Sequence, residues 1–122
     1  MNEKEEVNNL KEAILEGIKK IKGKKIIIID LNSIKHTECE YFIICHGTSV
    51  TQVNSIGRSV EESVEKMTNK KVWHAEGYEN SLWVLLDYGD IVVHIFQEKT
   101  RYFYNLEGLW ADANSISVNS ET

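Results

Sequence analysis

The 122-residue sequence contains no proline, only two cysteines, and no apolar run near the ~18 residues that cross a bilayer. No proline marks a linker, and this length suits one compact core, so we expect a single domain over residues 1–113. The polar, aperiodic residues 114–122 are expected to form a flexible tail. The N-terminal segment has neither the apolar run of a signal peptide nor the make-up of a transit peptide. We therefore expect a cytoplasmic protein with free thiols at Cys39 and Cys45.

The charge balance is acidic, with a formal net charge of -5 and a pI of about 5.4. Such a balance argues against binding driven mainly by nucleic-acid phosphates and favours a small ligand or a basic protein. A basic cluster nevertheless stands out, made of Lys19, Lys20, Lys22, Lys24 and Lys25. It could bind RNA, but complementation of a helix dipole together with solubility is the favoured explanation given the acidic total.

Two segments carry apolar residues at three- and four-residue steps, the pattern of amphipathic helices. The first covers residues 3–21, and Gly23 is a plausible stop. The second follows Ser49, which with Gln52 fits a capping box. Its predicted buried stripe comprises Val50, Val53, Ile56, Val60, Val64 and Met67. A third helix is predicted over residues 101–110, with an apolar face of Tyr102, Phe103, Leu106, Leu109 and Trp110.

Short apolar, β-branched runs predict buried strands at residues 25–30 and 41–46, and a brief strand is expected at 71–74. The sequence SLWVLLDYGDIVVHIF at 81–96 predicts a hairpin. The order is therefore α-β-β-α-β-β-β-α, an α/β (α+β) domain with a mixed sheet of about five strands.

A two-residue turn at Tyr88-Gly89 would place Asp87 opposite Asp90 and sort the hairpin side chains into two faces. One face is aliphatic and predicted to be core: Leu82, Val84, Leu86, Ile91, Val93 and Ile95. The other mixes apolar, aromatic and charged groups: Trp83, Leu85, Asp87, Asp90, Val92, His94 and Phe96. Spacing alone favours burial of this second face by a helix of the same chain, while its composition also suits a partner surface.

Two constellations could carry chemistry. Gly47-Thr48-Ser49 at a helix start could bind an anion and, with Asp87 and Asp90, could serve a nucleotidyltransferase, although no Asp-x-Asp pair follows. A zinc site from His36, Cys39, Cys45 and His46 is disfavoured because Cys45 and His46 are adjacent in a strand and point to opposite faces. We therefore expect no metal, no cofactor and no catalytic residues.

Several longer motifs resemble one known family. They are Gly47-Thr48-Ser49, Glu76-Gly77, the segment WVLLDYGDIVVH at 83–94, and Arg101-x-Phe103-Tyr104-x-Leu106-Glu107-x-Leu109-Trp110-Ala111-Asp112-Ala113. Together they closely resemble the ribosomal silencing factor (Iojap-like, RsfS) family, from the first helix to about Ala113.

The resemblance implies a nucleotidyltransferase-like fold without enzyme activity. It further implies binding to the large ribosomal subunit through ribosomal protein L-fourteen, which blocks joining of the small subunit and represses translation under nutrient limitation. No membrane and no dominant direct nucleic-acid contact are implied. Isolated family members can self-associate, so a free homodimer on the same surface, exclusive with ribosome binding, is a complication.

The resemblance implies that the family's binding surface lies on the hairpin of this chain. The matching positions are Trp83, Leu85, Asp87, Tyr88, Asp90 and, more weakly, His94. Trp83 and Leu85 would be desolvated anchors, while Asp87 and Asp90 would pair with basic groups of the partner. Gly89 would be structural, with a positive φ in the turn. Arg101, Tyr104 and Trp110 are assigned mainly to packing of the last helix.

Overall fold

The computed structural model describes residues 2–34 and 37–118. The elements in chain order are α1 (Glu3–Lys20), β1 (Lys24–Asp30), β2 (Tyr41–Gly47), α2 (Val50–Thr68), β3 (His74–Glu76), β4 (Trp83–Asp87), β5 (Ile91–Gln97), α3 (Glu98–Tyr104), α4 (Leu106–Leu109) and β6 (Asn114–Val118). Within these described residues, no helix has both the length and the apolar content to cross a membrane.

The sheet has six strands in the order β3-β4-β5-β2-β1-β6. β2 and β5 run parallel, while the other neighbours pair antiparallel. α1 and α2 contribute to the main core with one side of the sheet, and residues of the α4 region pack on the other. This α+β architecture with a mixed sheet confirms the predicted fold class, with one strand more than expected because β6 joins the edge.

The two long helices pack closely because small residues lie at their contact. A Cβ atom added to Gly17 of α1 would lie 2.6 Å from the Val60 Cα atom of α2. Two hydroxyls of α2 also donate to carbonyls of α1, from Ser59 to Gly17 over 2.8 Å and from Ser63 to Ala13 over 2.9 Å. The helix pair is thus fixed in position over the sheet.

The start of α2 confirms Ser49 as the N-cap, since its Oγ accepts from the Gln52 N–H over 3.1 Å. The reciprocal bond of a capping box is shifted by one residue, because Gln52 Oε1 accepts from the Thr48 N–H instead. The predicted stripe is buried in its middle, but its ends, Val50 and Met67, are 44% and 49% exposed. Both ends extend beyond the sheet-facing core.

The hairpin is present, but its predicted register is wrong by two residues. Asp87 pairs with Val92 rather than Asp90, and the loop residues are Gly89 and Asp90. The Asp87 carboxylate accepts from the Gly89 N–H, and this local turn starts the reversal after Asp87. A shift of two residues preserves which side chains share a face.

The predicted faces are therefore correct within the strands. Val84, Leu86, Ile91, Val93 and Ile95 are buried in the main core. The prediction that Leu82 belongs to the core is wrong, since its side chain is 44% exposed and it precedes β4. The Leu82 carbonyl still accepts from the Gln97 N–H over 2.9 Å, but the chain turns at Ser81, whose φ is +56°, so Leu82 lies at the open end of the ladder.

The predicted third helix is two short ones, because Asn105 adopts a left-handed φ of +47° that breaks the helix between α3 and α4. Its expected buried face was wrong in part. Tyr102, Phe103 and Leu109 are exposed at 56%, 81% and 76%, whereas Leu106 and Trp110 pack against the sheet.

The expected flexible tail at 114–122 is also wrong in its first part. Residues 114–118 form β6, which pairs antiparallel with β1. Only Val118 is partly buried, so the strand is held by main-chain pairing rather than by a strongly apolar pattern. Residues 119–122 lie outside the described part.

Candidate functional site

The second face of the hairpin remains partly open. Trp83, Leu85, Asp87 and Val92 are half-buried, and with the buried His94 we call them the hairpin face. The neighbouring part of the same sheet side is covered, because Ile29, Ile44 and Phe96 are buried with Leu106 and Trp110 against them. A helix of the same chain therefore covers only part of this side.

Trp83 is held by contacts on several sides. Its Nε1–H donates to His94 Nδ1 over 3.1 Å. Its ring centroid lies 4.7 Å from that of Phe96 and 5.1 Å from that of Tyr104. The indole is thus fixed in one orientation while part of it stays exposed.

His94 lies beneath this indole and is 5% exposed. Burial lowers its pKa to about 4, so the imidazole is neutral at neutral pH. Because Nδ1 accepts from Trp83, the proton of the neutral ring belongs on Nε2. That Nε2 atom is buried and has no hydrogen-bond partner among the described residues. His94 therefore supports Trp83 more than it presents a surface of its own.

The acidic end of the hairpin borders an open cleft of about 570 Å³. Asp87, Gly89 and Asp90 line one side, and Trp110 also contributes. Gly89 has a φ of +87°, which confirms the expected positive φ in the turn. One Asp87 oxygen is engaged by the Gly89 N–H over 2.8 Å, and Asp90 is exposed.

Trp73 was missed by the sequence prediction. It lines the same cleft, is 79% exposed, and its N–H donates to the Asp87 carbonyl over 3.0 Å. Trp73 was expected inside the brief strand at 71–74, but β3 begins only at His74, so Trp73 precedes the strand and its side chain is free to reach the cleft. Such a large exposed aromatic group beside two carboxylates extends the apolar part of the site.

Tyr88 is not brought together with the other predicted site residues. It packs against the main core on the α1 and α2 side of the sheet, and its hydroxyl is buried without a partner among the described residues. Burial, with a smaller effect of Glu61, raises its pKa.

The residues of the nucleotidyltransferase alternative lie at opposite ends of the sheet. Gly47 pairs with Gln97 at one end of the β2–β5 ladder, whereas Asp90 precedes Ile91 at the other. The seven residue steps from Asp90 to Gln97 correspond to about 23 Å. Two donors at the helix start are already bonded within the chain, the Thr48 N–H to Gln52 Oε1 and the Gln52 N–H to Ser49 Oγ. This geometry contradicts a shared site.

The zinc alternative is not supported either. Cys45 is buried in the main core, and burial raises its pKa to about 12. His46 lies on the other side of the sheet against Arg101, 2.9 Å from its guanidinium. Cys39 and Cys45 are free thiols, as expected, and His36 lies outside the described residues. Among residues 2–34 and 37–118, no group of three or more potential ligands could hold a metal ion.

Comparisons with known proteins agree with the motifs. Residues 4–122 match the family described as "Ribosomal silencing factor during starvation", which extends beyond the expected limit at Ala113. Ribosomal silencing factor RsfS of Bacillus subtilis is 39% identical over 92 residues, 75% of this chain and 76% of that protein. The RsfS of Halalkalibacterium halodurans is 35% identical over 97 residues, 80% and 81% of the two chains.

Solved structures agree as well. A crystal structure of a Bacillus halodurans protein superposes with a TM-score of 0.76 at 31% identity, covering 91% of this chain and 99% of the other. The extent of these matches goes well beyond a short motif, and the chain belongs to the ribosomal silencing factor family, RsfS.

Proposed function

We propose that this protein silences ribosomes by docking its hairpin face on ribosomal protein L-fourteen of the large subunit. Occupation of that site blocks association with the small subunit and represses translation, particularly under nutrient limitation. The protein acts in the cytoplasm as a binding factor, without enzyme activity or cofactor.

The observation that carries this proposal is a preorganised anchor beside an acidic rim. Trp83 is fixed by His94, Phe96 and Tyr104 while remaining partly exposed. An aromatic side chain that is already ordered loses little conformational entropy on binding. Trp83, with Leu85 and Val92 on the same face of the hairpin, is therefore suited to be the desolvated centre of an interface.

Asp87 and Asp90 supply the charged rim. Both lie at the turn next to the apolar centre, and Asp90 is exposed. A basic ribosomal protein is the complementary partner, because rim carboxylates attract and orient Lys- and Arg-rich surfaces. Tyr88, although part of the same motif, is proposed to support the turn from the core side.

Co-sedimentation with purified large subunits tests the proposal. Trp83→Ala removes the anchor, and we expect a loss of about 2 kcal/mol or more, roughly thirtyfold in affinity. Asp87→Arg reverses the rim charge and is expected to weaken binding further at low salt. Glu62→Arg, an equal charge change at an exposed site on α2, is the matched control and should bind normally.

Self-association on the same face would compete with the ribosome. Sedimentation velocity of the free protein at several concentrations therefore accompanies the binding measurement. If the hairpin variants retain their fold and bind large subunits as wild type does, the docking face is elsewhere.

A further inference from the structure

Five lysines gather where α1 ends and β1 begins: Lys19, Lys20, Lys22, Lys24 and Lys25. We call them the lysine end, and we infer that it binds the sugar–phosphate backbone of RNA. This inference goes beyond docking on a ribosomal protein. RNA binding itself does not depend on the proposed function, but the identification of the bound RNA as ribosomal RNA does.

The helix dipole accounts for only part of this cluster. Lys19 and Lys20 lie in the last turn of α1, where positive charge is favourable. Lys22 lies beyond the helix, and Lys24 and Lys25 begin β1. The dipole effect falls off within the last turn, so these three lysines need another explanation.

Lys22 occupies a backbone position that usually takes glycine. The Lys22 N–H donates to the Lys19 carbonyl over 3.0 Å, and the Gly23 N–H donates to the Ile18 carbonyl over 2.9 Å. These two bonds define a Schellman motif whose left-handed residue is Lys22, with a φ of +60°. A lysine here costs backbone energy that glycine would not.

Lys25, the second residue of β1, also has a left-handed backbone conformation. Its φ is +48°, and the β1–β2 register shifts between Lys24 and Ile27, which marks a bulge. In a regular strand, adjacent side chains point to opposite faces, but Lys24 and Lys25 are both exposed. Bulges re-aim side chains, so this one displays two adjacent ammonium groups to solvent.

The lysine end is also electrically separate from the acidic end. Within the described residues, none of its five side chains takes part in an ion pair. β1 runs from Lys24 to Asp30. Four acidic residues, Glu3, Glu40, Asp87 and Asp90, lie at its far end, whereas Glu98 and Glu107 lie near the lysine end beside His46 and Arg101. Seven strand residues span about 20 Å, beyond the Debye length of about 8 Å at physiological salt.

The net charge of -5 therefore does not decide what this end binds. RNA is favoured over an acidic protein because residues 19–25 contribute no large exposed apolar side chain to anchor a protein interface. Phosphate binding needs only point charges on flexible stems. No dominant nucleic-acid contact was expected from the sequence, and the inferred RNA contact at the lysine end is auxiliary to protein docking.

Fluorescence anisotropy with a short labelled RNA duplex of random sequence tests the inference in KCl from about 50 to 200 mM. The variant Lys22→Gln/Lys24→Gln/Lys25→Gln should lower the slope of log affinity against log salt by about two to three. Its affinity at about 50 mM KCl should fall at least tenfold. The matched control, Lys66→Gln/Lys70→Gln/Lys71→Gln, removes equal charge near the end of α2 and should bind as wild type does.

Absence of duplex binding by wild type, or equal loss in the two triple variants, overturns the inference. If the first variant does not fold, Lys19→Gln/Lys20→Gln replaces it, with an expected slope change of about one to two. Trp83→Ala should bind the duplex normally while losing large subunits. If it instead keeps both activities, the docking proposal fails while the RNA inference stands.

Discussion

At the residue scale, Trp83 and His94 act as a pair. The Trp83 indole is the proposed contact with the partner, and the buried His94 ring fixes its orientation. The indole N–H is already bonded to His94, so a partner need not supply an acceptor for it. His94 Nε2 is the remaining buried polar atom beneath the face. An unpaired buried donor costs stability, so His94 orients Trp83 at a local cost in the free energy of unfolding.

Burial of neutral His94 predicts a pH-dependent stability. Its pKa is about 4 when folded, against an ordinary value of 6.5, so the unfolded chain binds the extra proton between these values. The stabilisation is fully present above about pH 6.5 and is lost as pH falls toward 4, by up to about 3 kcal/mol. His46, whose pKa is also lowered by burial and by Arg101, acts in the same direction.

Urea unfolding of wild type and His94→Gln between pH 6.5 and 5 measures this effect. Glutamine can still accept from the Trp83 N–H but does not titrate, so the variant should show a shallower dependence on pH. The same slope in both proteins would contradict a buried, neutral His94.

At the element scale, α3 and α4 are fastened to the sheet through Arg101, which is 2% exposed. Its guanidinium makes two bonds of 3.2 Å to Glu107 and reaches His46 at 2.9 Å. It also donates to the Lys24 carbonyl over 3.4 Å. One side chain thus joins α3, α4, β1 and β2, and so fixes the edge of the hairpin face.

Removal of Arg101 should therefore release α3 and α4. Arg101→Ala leaves Glu107 and the buried His46 without their partner, and we expect a loss of about 3 kcal/mol in the free energy of unfolding. Hydrogen exchange should show faster opening of residues 98–109 than of α1 and α2. Arg58→Ala, as the control, removes a mostly exposed guanidinium that pairs with Glu61 and lies over the Tyr78 ring, and it should cost no more than about 1 kcal/mol. If Arg101→Ala and Arg58→Ala lost equal free energy of unfolding, Arg101 would not be what holds α3 and α4 on the sheet.

The strength of local signals explains which elements were predictable. α1, α2 and the strands at 24–30 and 41–47 have strong periodicity or apolar runs, and all were expected. The helix break at Asn105 was missed because the apolar spacing continues across it. The hairpin register depended on the Asp87 carboxylate capturing the Gly89 N–H, an interaction that two nearby aspartates do not specify in advance.

β6 was missed because its sequence, NSISV, carries only two large apolar residues, one of them Ile116 at 66% exposure. Its stability comes from five paired positions with β1, which sequence periodicity does not report. The extent of the open hairpin face was unpredictable for a related reason, since it depends on where α3 and α4 pack.

Deletion of residues 114–122 should expose the β1 edge. The loss of the ladder lowers the urea midpoint, and the unpaired strand promotes self-association detectable by light scattering. Deletion of residues 119–122 alone is the control, because it leaves the β6 ladder complete. If both deletions behave alike, β6 contributes nothing to stability.

At the scale of the whole molecule, the charges are polarised along the strands. The hairpin turn and the start of α1 form an acidic end, while the lysine end lies opposite, with Glu98 and Glu107 beside His46 and Arg101 at its edge. The two proposed contacts use opposite ends of the domain, a basic protein at the hairpin and RNA phosphates at the lysine end. A ribosomal subunit offers both surfaces.

The central claim is that the hairpin face docks on the large subunit. Quantitative co-sedimentation of large subunits with wild type, Trp83→Ala, Asp87→Arg and Glu62→Arg tests it most directly. We predict that wild type and Glu62→Arg bind alike, and that the other two lose affinity by roughly thirtyfold or more. Unchanged binding of folded Trp83→Ala and Asp87→Arg, or no binding by wild type, would contradict the claim.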